Sequence, residues 1–225
     1  MLFPTYTVDN FFDDPYKVVK FASGLDYKKD PEGIWPGKRT KSIFHIDKDF
    51  FQFATTKIMR LIYPDTYNQL FWVASLFFQL VDYGEDVKEG WIHKDTTTQL
   101  SSVIYLSQHK GCGTSIYKPK FFHRSIDVEA NNIRTDYYLN NKKFDKKFYN
   151  ALQKNNSRFE KSLQIDSCFN RLVLYDGHQW HSGDGFFDKD VSEGRLTLVS
   201  FIHQIYRRDT EQVKFPVPEM KRTIG

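Results

Sequence analysis

An imidazole and a carboxylate stand two residues apart in Gly90-Trp91-Ile92-His93-Lys94-Asp95. On an extended strand, positions i and i+2 point to the same face, so His93 and Asp95 could converge on one metal ion. Such a site requires a third ligand. The stretch Asp176-Gly177-His178-Gln179-Trp180-His181-Ser182-Gly183 offers His181 as the candidate, with His178 as the alternative. Two imidazoles and one carboxylate on one face of an octahedron leave positions open to other ligands, an arrangement that suits a non-haem ferrous centre.

The spacing alone is weak evidence. With seven His and twenty Asp in 225 residues, about one such pair is expected by chance. His45-Ile46-Asp47 is a decoy of the same form: Asp47 sits where a helix needs a cap, and no glycine-aromatic approach precedes it. More telling is Arg195-Leu196-Thr197-Leu198-Val199-Ser200-Phe201, an alternating strand that puts Arg195 and Thr197 on one face with Val199 and Phe201. An arginine facing a core is costly unless it meets an anion, and a guanidinium fork with a hydroxyl two residues on is a good receptor for a ligand carboxylate. Tyr105 and Tyr83 could each add a phenolic hydroxyl to the same carboxylate, although for either one alone, among thirteen Tyr, a packed aromatic is the plainer reading. Trp91 and Trp180 flank the proposed ligands as pocket walls or as packing. Arg39 reads as a solvated loop cation, with substrate contact as the alternative. Cys112 and Cys168 lack metal-ligand spacing and read as plain thiols.

These residues need elements to position them. Asp13-Asp14-Pro15 supplies a capping carboxylate and a first-turn proline, which predicts a helix ending at Gly24. A second helix is expected from about Asp47 to Ile62, stopped by Pro64, with the stretch 26–40 between them a loop. Beyond it, segments rich in β-branched and aromatic residues predict strands over 70–83, 99–107, 114–117, 171–175 and 195–206. Helices followed by many short strands indicate an α+β domain, mainly β, or a helix-braced β-sandwich. Residues 124–161 interrupt the strands with nine Lys/Arg against five Asp/Glu, and 143–152 could be helical. A solvated surface insertion is the plainer reading, and a lid or docking arm over a nearby pocket the functional one.

Composition narrows the classes. Hydrophobic residues at 40% and aromatics at 17% fit a globular chain rather than a disordered one, and a net charge of +4 is too mild to argue for nucleic acid by itself. Two cysteines are too few for a disulfide scaffold, so a reducing intracellular setting is expected. The N-terminus lacks the features of a signal peptide, and the apolar run 70–81 is too short for a bilayer span of about 20 residues, so no membrane role is expected.

As an ordered set, these pieces resemble the Fe(II)/2-oxoglutarate-dependent oxygenases, particularly the prolyl-4-hydroxylase-like branch. The set comprises Tyr83-Gly84, the Gly90 to Asp95 motif, Val103-Ile104-Tyr105-Leu106-Ser107, Gly111-Cys112-Gly113-Thr114, Asn170-Arg171-Leu172-Val173-Leu174-Tyr175-Asp176, His181 and Arg195-Leu196-Thr197. Val8-Asp9-Asn10-Phe11-Phe12-Asp13-Asp14-Pro15 and Trp35-Pro36-Gly37-Lys38-Arg39-Thr40 are similar to the short bacterial and phage forms. The resemblance implies one oxygenase domain over 1–225, with helical support over 1–66. It places a double-stranded β-helix (jelly roll) over 67–210, carrying a basic insertion at about 120–166. It implies Fe(II) on His93, Asp95 and His181, with His181 preferred over His178 because it lies just beyond a Leu-Tyr-Asp strand end and a turn. It further implies 2-oxoglutarate held by Arg195 with Thr197, Tyr105 and Tyr83, O2 as oxidant and ascorbate as a possible supporting reductant.

The expected activity is hydroxylation of an unactivated C–H bond in a peptidyl residue, such as proline, or in a small molecule, with release of succinate and CO2. Asp95 is a carboxylate where related halogenating sites have a small residue, which favours hydroxylation. The alternatives are a nucleic-acid-directed oxygenase that uses the basic insertion for phosphates, and a non-catalytic jelly-roll binding module. The expected location is cytoplasmic, in the host cytoplasm if phage-encoded. Substrate and oligomeric state are not legible in the sequence.

Overall fold

The computed structural model describes residues 4–82, 89–120, 128–140, 145–186 and 194–207. Tyr83 and Gly84 therefore lie outside the described residues. The chain opens with a short strand, β1 (Tyr6–Val8), and helix α1 (Pro15–Ser23). Asp14 caps α1 by accepting the Lys17 N–H at 3.0 Å, Pro15 fills the first turn where no N–H is needed, and Gly24 ends it. A two-residue strand, β2 (Lys38–Arg39), and a single turn, α2 (Ile43–Ile46), precede α3 (Lys48–Ile62). Asp47 caps α3 through the Phe50 N–H at 2.8 Å. Both expected helices are present. β2 falls within the expected loop, because two residues carry no periodicity and only their pairing with Gln79 and Leu80 makes them a strand.

The remaining elements are β3 (Leu70–Val81), β4 (Leu100–Tyr105), β5 (Thr114–Pro119), α4 (Val128–Leu139), α5 (Lys146–Asn156), β6 (Phe159–Ile165), β7 (Leu172–Asp176), β8 (Trp180–Gly183) and β9 (Arg195–Arg207). The strands form two antiparallel sheets, one of six strands ordered β1-β7-β4-β9-β3-β2 and one of three ordered β6-β5-β8. All five expected strands are among them.

Period-two alternation gives the larger sheet two different faces. Leu76, Phe78, Leu100, Ile104, Leu172, Leu174, Leu198 and Ile202 point to one side, where they share a buried core with Val18 and Ala22 of α1 and with Phe51, Ala54, Ile58 and Met59 of α3. The other side carries Phe77, Gln79, Arg195, Thr197, Val199 and Phe201, which line a cavity. Part of that side packs on the smaller sheet, with Tyr105, Val173 and Tyr175 meeting Ile116 and Ile165.

Within the basic stretch, the described helices α4 and α5 are packed on the domain and do not form a solvated surface insertion. Phe148, Ala151, Leu152 and Asn155 of α5 are buried at i, i+3, i+4 and i+7 spacing, one apolar-facing stripe. That stripe joins Ala130 and Tyr138 of α4 against Trp91, Val81 and Phe186, beside the segment that carries His93 and Asp95. The sequence signal was masked by the Lys and Asn residues on the other faces of α5.

Asn170 ties the N-terminal segment to the sheets. Its backbone is left-handed, with φ of 62°. Its side-chain oxygen accepts the Phe12 N–H and its amide donates to the Phe12 carbonyl, each at 2.8 Å. Asparagine tolerates this conformation better than most residues, and here both ends of its side chain are used.

Candidate metal centre

His93 and Asp95 do not converge through the pleat of one strand. His93 forms an isolated bridge with His181 of β8, and Asp95 lies in the turn that follows. The Asp95 N–H donates to the Gly177 carbonyl at 2.8 Å, and its carbonyl accepts the Thr98 N–H at 3.0 Å. Gly177 is required there, since a Cβ would stand 2.3 Å from the Thr98 oxygen and 2.9 Å from the Asp95 oxygen. The spacing that drew attention to the pair was thus correct for a different local geometry.

Each imidazole is oriented through its Nδ1. That of His93 lies 2.7 Å from the Trp91 carbonyl and that of His181 lies 2.9 Å from the Gln179 carbonyl. A carbonyl only accepts, so both Nδ1 atoms carry the proton and both Nε2 lone pairs remain free to ligate. The Nε2 atoms face Asp95 from either side, His93 at 3.6 Å from Oδ1 and His181 at 3.4 Å from Oδ2. One donor atom from each of the three residues lies within 4.8 Å of the others. Ser101 steadies the carboxylate with a 2.6 Å hydrogen bond to Oδ2.

The electrostatics suit a cation. Burial, reinforced by His181 and Arg134, drives the His93 pKa down to about 3, against the opposing pull of Asp95, so the ring is a neutral ligand at ordinary pH. Burial works against ionisation of Asp95, but the two imidazoles that face it, His181 foremost, and the Ser101 hydrogen bond outweigh it and hold the carboxyl well below the usual carboxylate range. Two imidazole nitrogen donors and one carboxylate oxygen donor form a ligand set for a divalent transition metal.

His178 is placed elsewhere: its half-exposed ring meets Asp176 at 3.2 Å, outside the cluster. The decoy also separates, with Asp47 capping α3 and His45 exposed on α2. Trp91 packs on Phe148 and Trp180 on Phe159, at centroid distances of 6.0 and 4.6 Å, so both pack instead of walling the cavity.

A cavity of about 1080 Å³ runs from the triad across the larger sheet. Arg195, the first residue of β9, lines it while being only 6% exposed. Its Nη2 donates to the Cys112 carbonyl at 2.9 Å, and its Nε is buried without a partner. Burial lowers its pKa, opposed by Tyr105, whose ring lies 5.5 Å from the guanidinium carbon. The Tyr105 hydroxyl is 2.7 Å from Thr114 Oγ1, and Thr197 sits opposite Tyr105 in the β4–β9 register. The orphaned Nε of a buried cation facing a cavity is a feature that a ligand carboxylate would satisfy.

Several site residues escaped sequence reasoning. Arg39 is not a solvated loop cation; its guanidinium lies 3.8 Å over the Trp35 ring, its Nε donates to Gln79 at 2.9 Å, and it lines the cavity. Arg134 of α4, 7% exposed, lines the same cavity. Asn156 clamps the segment that carries His93, accepting the Ile92 N–H at 3.1 Å and donating to the Gly90 carbonyl at 2.9 Å, while Asn155 donates to the Ile92 carbonyl at 3.0 Å. No local pattern distinguishes these from surface residues, since each acquires its role from a partner distant in sequence.

A family model described as DUF6445, a family of unknown function, matches residues 3–202. No curated protein matches the chain. Among solved structures, the epimerase SnoN in complex with Fe3+, alpha ketoglutarate and nogalamycin RO superposes with a TM-score of 0.52 at 11% identity, covering 91% of this chain and 81% of SnoN. HygX from Streptomyces hygroscopicus, with nickel, 2-oxoglutarate and hygromycin B bound, gives 0.51 at 13% identity, covering 88% of this chain and 82% of HygX. At these identities the likeness is one of fold: mainly antiparallel β with few helices.

Proposed function

The chain belongs to the DUF6445 family, and we propose that it is an Fe(II)- and 2-oxoglutarate-dependent oxygenase that hydroxylates an unactivated C–H bond. The observation that carries this reading is one cavity holding both the His93–Asp95–His181 donor set and the buried, incompletely bonded Arg195. SnoN and HygX, which share the fold, are each solved with a metal ion and 2-oxoglutarate, which supports the same pairing here. In this reading residues 1–225 form one oxygenase domain. Helices within 1–66 brace a double-stranded β-helix over 67–210, with α4 and α5 closing one side of the site. The order of motifs from Gly90 to Thr197 supports the prolyl-4-hydroxylase-like branch.

His93 and His181 would hold the ferrous ion through Nε2 and Asp95 through a carboxylate oxygen. Arg195 binds the distal carboxylate of 2-oxoglutarate in a water-poor pocket, where a guanidinium–carboxylate pair is strong. Thr197 and Tyr105 complete that end. The bound metal and cosubstrate supply the oxidising power, coupling O2 and decarboxylation of 2-oxoglutarate to succinate with oxidation of a nearby C–H bond. The protein's part is geometric: paired carbonyls fix both imidazoles, Ser101 fixes the carboxylate, and Phe77, Val199 and Phe201 offer an apolar wall that excludes water.

Incubation with Fe(II), 2-oxoglutarate, O2 and ascorbate across a panel of candidate substrates tests the reading. Succinate should form in step with loss of 2-oxoglutarate, and Asp95→Ala should abolish it while leaving the fold intact. Absence of both 2-oxoglutarate binding and succinate release in the wild type would leave a non-catalytic binding module.

A further inference from the structure

We propose that Arg39 and Arg134 form an anion receptor in the substrate half of the cavity, so that the substrate is an organic molecule carrying a carboxylate or phosphate group. The inference rests on the metal and 2-oxoglutarate reading above and adds the chemical class of the substrate to it.

Both guanidinia are held by consecutive residues on the cavity wall. Arg134 Nη2 donates to the Ile34 carbonyl at 3.1 Å, and Arg39 stacks 3.8 Å over the ring of Trp35. Neither makes an ion pair within 4.0 Å among the described residues. Arg134 is 7% exposed, and its Nε is buried without a partner while the side chain lines the cavity. A half-bonded guanidinium at that depth leaves donors unsatisfied unless something in the cavity accepts from them.

The charge balance points the same way. A ferrous dication, the Asp95 carboxylate, the two carboxylates of 2-oxoglutarate and the Arg195 guanidinium cancel one another. Arg39 and Arg134 are therefore additional to that balance, and Asp30, which acts on Arg39 from beyond ion-pair distance, offsets only one of them. Of the ten Asp, Lys and Arg residues lining the cavity, seven are Lys or Arg, so the rim adds no neutralising excess of carboxylates. An oxyanion bound in the cavity against these guanidinia would supply negative charge and accept their free N–H groups.

The rest of the substrate would be apolar. Arg39 also lies 5.7 Å from the ring centroid of Phe77 and 5.3 Å from that of Phe201, which places an aromatic floor beside the anion position. A polar head on the arginines and a carbon body over Phe77 and Phe201 would bring that body toward the triad side of the same cavity.

The test uses phenylacetate and phenyl phosphate as anionic probes and phenylacetamide as their neutral counterpart, titrated calorimetrically into protein loaded with Mn(II) and 2-oxoglutarate. At least one anion should bind about tenfold or more tightly than the amide, and the two anions together tell carboxylate from phosphate preference. That advantage should disappear in both Arg39→Gln and Arg134→Gln. Should Arg134→Gln fail to fold, Arg134→Lys should keep a reduced advantage and Arg39→Gln decides the matter. Anions binding no better than the amide, or an advantage that survives in Arg39→Gln, would overturn the proposal. Loading is measured first: failure of wild-type protein to take up Mn(II) and 2-oxoglutarate would overturn the functional reading itself.

Discussion

His93 and His181 are cross-strand partners in the full sense: each backbone N–H donates to the other's carbonyl, at 3.0 and 2.9 Å, and their rings stand 4.5 Å apart. The two nitrogen donors are therefore set by one pairing register. A slip of one residue would turn one imidazole to the opposite face and dissolve the site. A second tie between the same two segments lies at Gly90, whose N–H donates to the Gly183 carbonyl at 2.9 Å.

Gly90→Ala should break that register. A Cβ at Gly90 would lie 2.5 Å from the Gly183 oxygen and 2.8 Å from its nitrogen, backbone atoms that cannot swing aside. We expect a loss of about 1–3 kcal/mol in stability, read by denaturant titration, as for other overpacked sites. Mn(II) affinity should fall with it, by about tenfold or more where outer supports of metal ligands are disturbed.

Asn156→Ala should weaken metal binding although its side chain is not in the ligand set. The amide holds both Ile92 N–H and the Gly90 carbonyl, fixing the strand segment that presents His93. A drop of about tenfold in Mn(II) affinity is expected, with secondary structure by circular dichroism preserved. Unchanged affinity would mean that the β8 pairing alone positions His93.

How far the sequence carried this reading depended on how locally each feature is encoded. The caps at Asp14 and Asp47 and the alternation of β9 are local signals, and the structure has α1, α3 and β9 where they predict them. The His93–Asp95 spacing led to the cluster for the wrong reason, because a turn and a bridge do the work assigned to a strand. Arg39 was misjudged since its burial depends on Trp35, Phe77 and Phe201 folding around it. The basic stretch was misjudged since net charge reports the exposed faces of α5 and says little about its buried stripe.

Arg195→Ala should chiefly raise the 2-oxoglutarate requirement. Removing one partner of a buried charge pair costs about 2–5 kcal/mol, so the apparent affinity for 2-oxoglutarate should weaken about thirtyfold or more. Arg195→Lys should recover part of it, because the ammonium keeps the charge but loses the fork. An unchanged requirement in Arg195→Ala would remove Arg195 from its assigned role.

Asp9 offers a pH-dependent test of how the N-terminal segment is attached. Its carboxylate meets Arg171 Nε at 2.5 Å and Nη2 at 3.0 Å, and the hydrogen bond from Arg171, against slight burial, holds its pKa below the ordinary 3.8. The unfolded chain then binds more protons than the folded one in acid, so this contribution is present above about pH 4 and is lost as pH falls through the lowered value. The pair is partly exposed, with 54% of the Asp9 side chain and 21% of that of Arg171 open to solvent, and Asp9→Asn should cost about 0.2–1 kcal/mol at pH 7. Thermal melts at low and high salt should show that difference shrinking with salt and declining as the pH falls below about 4.

The most direct measurement is anomalous diffraction from crystals grown with Mn(II) and 2-oxoglutarate. One manganese peak should lie within bonding distance of His93 Nε2, an Asp95 oxygen and His181 Nε2, with the 2-oxoglutarate density ending at the Arg195 guanidinium. A metal peak elsewhere, or an empty triad beside an Arg195 that meets no carboxylate, would contradict the account.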